Sequence, residues 1–288
     1  MNTLIRASEL ANRIKQAPQG EPLVVVVDCR FNLADAQAGE AAWRQGHIPG
    51  AHYAHLDRDL SGPKTGSNGR HPLPDAQAFE QTLQRWGVTD QTQVVAYDDV
   101  GGMMAARLWW MLTHWLGHPH CAVLDGGWQQ WVTMGGAVET APPATGHATT
   151  SMTADRVRPE QVIQIAEVAA ALGSPDRLQL IDARAPDRFQ GLNETLDPVG
   201  GHIPGAINRF FKDNLQTDGR FKSPAQLREE FTALLGQQPL ASCVHQCGSG
   251  VTACHNLLAM DVAGLTGTRL YAGSWSEWCA DPSRPTAR

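Results

Sequence analysis

The sequence has little of what marks secreted, membrane-spanning or nucleic-acid-binding proteins. Six cysteines in 288 residues are too few for a disulfide scaffold, which predicts reduced thiols. The formal net charge is -6 and no block of lysine or arginine is present, so neither nucleic acid nor an anionic membrane is expected as a partner. The most apolar stretch, residues 103–116, contains Arg107 and His114 and is shorter than the ~20 residues that cross a bilayer.

Composition and the N-terminus point to a globular protein of the cytoplasm. The first residues, MNTLIRASEL, contain neither an apolar segment nor a cleavage site of small residues, so no secretory signal is expected. Apolar residues make up 42% and charged residues 18% of the chain, which is enough apolar material for buried cores and argues against disorder. At roughly 100–200 residues per domain, this length favours two domains.

An internal repeat divides the chain. Three motifs occur twice, in the same order and at nearly the same spacing: an apolar run ending in Asp-x-Arg at 23–30 and 178–184, GHIPGA at 46–51 and 201–206, and a Gly/Trp cluster at 126–128 and 273–275. Three recurring motifs in one order indicate a tandem duplication. Residues 139–151, rich in Pro, Thr, Ala and Gly, are predicted to link an N-terminal domain, 1–138, to a C-terminal domain, 152–288.

Strand and helix patterns alternate within each half. LQLIDAR is typical of a strand, and the segment SPAQLREEFTALLG that follows later predicts a helix, with Ser223 as its N-cap, Pro224 at its first position and Gly236 beyond its end. Such alternation predicts the α/β class, in which each domain is a parallel β-sheet flanked by helices.

The segment around Cys247 carries the clearest chemical signal. A predicted buried strand ends at Gln246, Cys247 stands at the turn, and Gly248-Ser249-Gly250 leads into a helix from Val251. Ligands of open α/β sheets bind at the carboxyl ends of the strands. The glycines allow successive backbone N–H groups to point at the sulfur, and these donors, with the N-terminal end of the helix, favour a thiolate. Cys247 is therefore predicted to be a nucleophile rather than a small buried apolar residue.

Together these motifs resemble the two-domain rhodanese family, which contains thiosulfate and 3-mercaptopyruvate sulfurtransferases. The likeness covers essentially the whole chain and depends on the loop 247–253, both GHIPGA segments, both Asp-x-Arg strand ends and Gly273-Ser274-Trp275. It implies two tandem rhodanese-like domains, of which only the C-terminal one is catalytic. Asp98, or Asp99, stands where Cys247 would fall in the first half, and a carboxylate cannot carry a persulfide.

The resemblance implies a double displacement. The Cys247 thiolate attacks the terminal sulfur of a small anionic donor and releases pyruvate from 3-mercaptopyruvate or sulfite from thiosulfate. The amides of residues 248–252, namely Gly248, Ser249, Gly250, Val251 and Thr252, hold the persulfide. The sulfur then passes to a thiol such as thioredoxin or glutathione, or to cyanide, so no metal or organic cofactor is needed.

Arg188 matches the donor-binding arginine of the family, and a guanidinium suits a carboxylate or sulfonate bidentately. Asp182 and Arg184 are interpreted as structural residues, because Asp28 and Arg30 hold the same places in the half without the cysteine.

Two features of the sequence favour 3-mercaptopyruvate over thiosulfate. Gly248 and Ser249 are neutral, as in mercaptopyruvate enzymes, whereas members that prefer thiosulfate usually have Arg and Lys after the cysteine. The family's proposed Ser-His-Asp relay also has matching positions in Ser249, His71 and Asp57. In this relay Asp57 orients His71, which polarises Ser249 toward the donor and favours departure of the enolate.

One feature points the other way. Mercaptopyruvate enzymes typically have a second arginine between the positions of Phe189 and His202. This chain has QGLNETLDPVGG there, with Asp197 near the expected position and no arginine. Either Arg188 alone binds the donor carboxylate, or Arg70 substitutes, or the enzyme accepts thiosulfate comparably.

Other functional classes fit less well. A cysteine phosphatase of the same fold needs an arginine six positions after the cysteine, where this chain has Ala253. A metal site built from Cys243, His245, Cys247, Cys254 and His255 would lack any CxxC pair. A non-catalytic rhodanese-like binding module would be expected to lack the cysteine. Cys254 is interpreted as a packed helix residue rather than a resolving thiol.

Overall fold

The structure, a computed structural model, describes residues 3–16, 24–143, 153–172, 174 and 178–288. Residues 144–151 of the predicted linker and Leu23 of the first predicted strand lie outside these described residues. The chain forms two compact units. Unit 1 comprises Met1–Ser61, Pro74–Arg158 and Thr217–Phe221, and unit 2 comprises Gly62–Leu73, Pro159–Gln216 and Lys222–Arg288.

Each unit therefore combines most of one half of the repeat with a short segment from the other half. Gly62–Leu73 belongs to unit 2, and Thr217–Phe221 belongs to unit 1. The domain limits 1–138 and 152–288 stay a prediction, and this exchange of segments was not expected from the sequence. Its consequence is that Arg70 and His71 are part of the same unit as Cys247.

Unit 1 contains a five-stranded sheet with strand order β1-β5-β4-β2-β3. Its elements are β1 (Leu4–Ile5), α1 (Ala7–Gln16), β2 (Val24–Asp28), α2 (Ala38–Gln45), β3 (His52–Tyr53), α3 (Leu56–Asp59), α4 (Ala76–Arg85), β4 (Gln93–Tyr97), α5 (Ala105–Trp110), a π-helical turn (Met111–Trp115), β5 (Cys121–Leu124), α6 (Gly127–Thr133) and a 3₁₀ turn (Ala154–Arg156). The central strands β2 and β4 pair from Val24 opposite Gln93 to Asp28 opposite Tyr97.

Unit 2 contains a four-stranded sheet with strand order β7-β6-β8-β9. Its elements are a 3₁₀ turn (Pro159–Gln161), α7 (Ile165–Ala171), β6 (Gln179–Asp182), α8 (Pro186–Phe189), β7 (Ile207–Asn208), a 3₁₀ turn (Phe211–Asn214), α9 (Pro224–Leu235), a 3₁₀ turn (Leu240–Ser242), β8 (Cys243–Gln246), α10 (Thr252–Val262), β9 (Arg269–Leu270) and α11 (Ser274–Trp278). Every strand pair in both sheets is parallel, which confirms the predicted α/β class.

Local sequence signals set several element ends. The Ser223 side chain accepts the N–H of Gln226, Pro224 opens α9, and Gly236 follows its end with φ +59°. This is the predicted helix with the predicted caps. The apolar run 103–116 contains α5, which continues as a π-helical turn after Trp110.

The three repeated motifs meet in unit 1. Arg30 donates from Nη2 to the Asp28 carboxylate at 2.6 Å and to the Gly46 carbonyl at 2.7 Å. Its guanidinium carbon lies 4.6 Å from the ring centroid of Trp128. The Asp-x-Arg strand end, the first glycine of GHIPGA and the Gly/Trp cluster thus form one buried contact.

The same contact recurs in unit 2. Arg184 donates to the Asp182 carboxylate at 2.7 Å and to the Gly201 carbonyl at 2.7 Å, and its guanidinium carbon lies 4.9 Å from the ring centroid of Trp275. Since both copies of the motif make these bonds, the arrangement agrees with the structural role predicted for Asp182 and Arg184.

Apolar side chains pack against each sheet. The core of unit 1 includes Leu10, Val26, Ile48, Val95, Tyr97 and Trp131, and the core of unit 2 includes Ile163, Ile203, Val244, Tyr271, Trp275 and Trp278. All six cysteines fall within the described part of the chain and are free thiols. Over the same residues, every helix is too short or too polar to span a membrane.

Candidate active site

Cys247 lies at the carboxyl end of β8, in the centre of the unit 2 sheet. The strand ends at Gln246 and α10 begins at Thr252, so residues 247–251 form the connecting loop. Gly250 has φ +78°, and a Cβ atom there would lie 2.3 Å from the Ala272 carbonyl oxygen. Only glycine fits this position, because a side chain would be both strained and overlapping.

The loop holds the sulfur and the backbone of Cys247. The N–H of Gly250 donates to Sγ at 3.1 Å, while the Cys247 carbonyl accepts the Trp275 N–H at 3.0 Å. The amides of Gly248, Val251 and Thr252 stay predicted ligands of a persulfide. Cys247 is 2% exposed, so little of the residue meets solvent in this structure.

Ser274 fixes the start of this loop. Its Oγ accepts the Cys247 N–H at 3.1 Å and donates to the Tyr271 carbonyl at 2.9 Å. Ser274 has φ +54°, the one positive φ of a residue other than glycine among the described residues, and Gly127 holds the equivalent place in unit 1 with φ +53°. The Gly-Ser-Trp motif was one of the repeated motifs in the sequence, and this role of its serine was not predicted.

Unit 1 fills the corresponding loop with a carboxylate. Asp98 follows β4 as Cys247 follows β8, and the Asp98 carbonyl accepts the Trp128 N–H at 2.8 Å, just as that of Cys247 accepts the Trp275 N–H. The Asp98 carboxylate accepts the N–H groups of Val100, Gly102, Met104 and Ala105 at 2.7–2.9 Å.

These bonds identify Asp98, rather than Asp99, as the counterpart of the cysteine. Burial raises the pKa of Asp98, and the four amides oppose that shift. The amide-lined loop of unit 1 is therefore already occupied by a carboxyl group that belongs to the chain. That unit 1 is catalytically inactive stays a prediction.

Two members of the predicted relay are in contact. His71 Nδ1 lies 2.7 Å from Ser249 Oγ, and the two residues are 4% and 6% exposed. Asp57 lies in α3 of unit 1, where its backbone N–H donates to His55 Nδ1 at 3.2 Å. Its part in the relay stays a prediction.

Two arginines lie against the loop. A Cβ atom on Gly248 would lie 2.8 Å from Arg70 Nη2 and 3.6 Å from Arg188 Nη2. The backbone N–H of Arg70 donates to Ser276 Oγ at 3.0 Å, and burial together with the charge of Arg188 lowers the pKa of Arg70. The structure thus places Arg70 next to Arg188. This is the position expected if Arg70 substitutes for the second donor-binding arginine of mercaptopyruvate enzymes.

Two buried carboxylates bind these arginines. Arg188 Nη2 donates to Glu194 at 2.8 and 2.9 Å and to Asp197 at 3.4 Å, and Arg70 Nη1 donates to the other oxygen of Asp197. The Glu194 and Asp197 side chains are 4% and 3% exposed. Glu194 was missed by sequence reasoning, although its position six residues after Arg188 in a short, glycine-rich segment was a usable signal.

The described residues contain no group of three or more His, Cys, Asp or Glu side chains that could hold a metal ion. His245, which sequence analysis considered as a ligand, instead contacts Met260 Sδ through Nε2 at 3.1 Å.

Comparison with known proteins shows the family of this chain. The family model described as "Rhodanese-like domain" matches residues 7–134 and 164–281. The chain belongs to the rhodanese family. A Pseudomonas aeruginosa protein named "Probable 3-mercaptopyruvate sulfurtransferase" is 48% identical over 99% of this chain and 97% of its own length. The mouse protein named "Thiosulfate sulfurtransferase" is 33% identical over 96% of this chain and 91% of its own.

Solved structures show the same fold. The 3-mercaptopyruvate sulfurtransferase from Leishmania major matches with a TM-score of 0.81 and 30% identity, over 96% of this chain and 74% of that one. SseA from Escherichia coli, also described as a 3-mercaptopyruvate enzyme, matches with a TM-score of 0.79 and 28% identity, over 96% of this chain and 99% of that one. The predicted family, tandem fold and enzyme class, a sulfurtransferase that uses a sulfur donor and an acceptor, are confirmed.

Proposed function

We propose that this sulfurtransferase moves a sulfur atom from 3-mercaptopyruvate to a thiol or to cyanide through a persulfide on Cys247. The observation that carries the proposal is the Cys247 sulfur at the end of the central strand β8, with a loop amide donating to it at 3.1 Å. An N–H donor stabilises both the thiolate that attacks and the persulfide anion that forms. A binding module without catalysis would have no use for this arrangement.

In the first step the Cys247 thiolate attacks the donor sulfur. A sulfur–sulfur bond forms, the carbon–sulfur bond of the donor breaks, and its electron pair stays on carbon as the enolate of pyruvate. The proton of the donor thiol ends on that carbon, so the products are pyruvate and a persulfide anion. Arg188 and Arg70, both against Gly248, bind the donor carboxylate through charged hydrogen bonds.

Ser249 and His71 stabilise the enolate. The Ser249 hydroxyl donates to the oxygen on which the charge develops, and His71 Nδ1, 2.7 Å from Ser249 Oγ, donates to the serine in turn. Asp57 orients His71 in this mechanism. In the second step an acceptor thiolate attacks the outer sulfur, and Cys247 leaves as a thiolate. We infer thioredoxin or glutathione as acceptors and a cytoplasmic location, in line with the six free thiols.

Thiosulfate is the second candidate donor. Two guanidiniums beside the loop also suit a sulfonate, and the mouse relative is named for this substrate. In that reaction sulfite leaves with the electron pair and needs no enolate stabilisation, so the Ser249–His71 pair would have no part in it.

Intact-mass measurement tests the proposed function. The wild-type protein treated with 3-mercaptopyruvate gains the mass of one sulfur atom, which dithiothreitol removes, and pyruvate is released in equal amount. Cys247→Ser abolishes the gain. Cys121→Ala, which removes a buried thiol in unit 1, serves as the matched control and retains it. A wild-type protein that gains no sulfur from either donor would refute the proposal.

A further inference from the structure

Asp197 binds both of the arginines that lie beside Gly248. It lies in the segment 190–201 between α8 and β7, and its two carboxylate oxygens bind different arginines, Arg70 and Arg188. With a side chain that is 3% exposed, it pairs with them away from most of the solvent, where charges interact more strongly than at the surface.

The charges in this cluster balance. Arg70 and Arg188 carry two positive charges, and Glu194 and Asp197 carry two negative ones. Arg184, which also approaches Glu194 at 3.5 Å, is paired with Asp182 at 2.7 Å. The guanidiniums beside Gly248 therefore offer hydrogen bonds to an anion without a large excess of positive charge.

The two candidate donors differ by one unit of charge. At neutral pH 3-mercaptopyruvate carries a single carboxylate, whereas thiosulfate is a dianion. A balanced cluster provides the bidentate hydrogen bonds that a carboxylate needs, and it gives little extra attraction to the second charge of thiosulfate.

We propose that Asp197 determines donor specificity by neutralising Arg70, so that the site favours a monoanionic donor over a dianionic one. This proposal rests on the proposed function and adds the reason for its choice of donor. Asp197 acts through the two arginines and is a positioning residue, not a catalytic one.

Glu194 has a different task. Its Oε1 accepts the backbone N–H groups of Leu196 and Asp197 at 2.9 and 3.1 Å, and it also binds Arg188. Replacing Glu194 would disturb the backbone of the segment as well as the charge balance. Asp197 is therefore the residue at which charge can be changed with the least effect on the loop.

The test measures kcat/KM for both donors in the full-length protein. Asp197→Asn keeps the size of the side chain and removes its charge, and we expect the ratio of thiosulfate to 3-mercaptopyruvate kcat/KM to rise about tenfold, which corresponds to about 1.4 kcal/mol. The rise should shrink as ionic strength increases. Asp197→Glu keeps the negative charge, so its ratio of kcat/KM for the two donors should stay near that of the wild type.

The matched control is Asp281→Asn, which removes the same charge from unit 2. The Asp281 side chain is 44% exposed and lies 3.6 Å from Arg284. In Asp281→Asn the ratio of thiosulfate to 3-mercaptopyruvate kcat/KM should not change. A purely structural role for Asp197 would lower kcat/KM for both donors equally, and an unchanged ratio in Asp197→Asn would overturn the proposal. Persulfide formation by the wild type, measured by mass, shows separately whether the proposed function holds.

Discussion

Replacing Ser249 with alanine tests the part of the mechanism that separates the two donors. The substitution removes the hydroxyl that lies 2.7 Å from His71 Nδ1 and leaves Cys247, the loop glycines and both arginines in place. Ser249 and His71 are 6% and 4% exposed, so water cannot easily take the place of the lost hydroxyl.

The magnitude follows from what the hydroxyl does. A preorganised donor at a developing oxyanion contributes about 10²–10³ to kcat, and a hundredfold loss corresponds to about 2.7 kcal/mol of the barrier. We expect Ser249→Ala to lower kcat with 3-mercaptopyruvate about a hundredfold. Turnover of thiosulfate should change by no more than a few-fold, because sulfite is a stable leaving group and no enolate forms.

Two assays follow the reactions. Coupled oxidation of NADH by lactate dehydrogenase reports pyruvate from 3-mercaptopyruvate, and thiocyanate formation with cyanide reports sulfur transfer from thiosulfate. Ser242→Ala, which removes the hydroxyl of a partly exposed serine just before β8, controls for a general effect on unit 2. Equal losses with both donors would show that the Ser249–His71 pair does not act on the enolate.

Two further substitutions test the donor arginine and the loop of unit 1. Arg188→Ala should raise KM for both donors about tenfold or more, since it removes a guanidinium beside Gly248; the exposed Arg220→Ala is the control, and an unchanged KM would remove Arg188 from the donor site. Asp98→Ala removes the acceptor of four loop amides and should cost about 3–4 kcal/mol at about 1 kcal/mol for each bond. It should lower Tm while sulfur loading of Cys247 persists, whereas the exposed Asp99→Ala should leave Tm unchanged, and a stable Asp98→Ala protein would contradict this account.

Local sequence signals were sufficient to predict much of the fold. The ends of α9 depend on Ser223, Pro224 and Gly236, which lie next to the backbone groups they affect. The strand, turn and helix around Cys247 depend on an apolar run and on glycine placement. In the structure β8 ends at Gln246, as predicted, and α10 begins at Thr252, one residue after the predicted start.

Contacts between distant parts of the chain could not be predicted from such local signals. Arg70 and Asp197 are 127 positions apart, and His71 and Ser249 are 178 apart. The family resemblance named His71 and Ser249, but nothing in the residues near Arg70 indicates that Gly62–Leu73 belongs to unit 2. The sequence showed an acid where an arginine was expected, and only the fold shows that this acid binds both arginines.

Asp98 has a consequence for how the two copies of the repeat respond during turnover. Its carboxyl group is part of the chain and cannot depart, so the four amides of the loop after β4 keep their acceptor at every stage. In the mechanism that we propose, the outer sulfur held by the loop after β8 arrives and leaves with each cycle. In that mechanism the acceptor of the loop amides is permanent in one copy of the repeat, and in the other it changes between a thiolate and a persulfide.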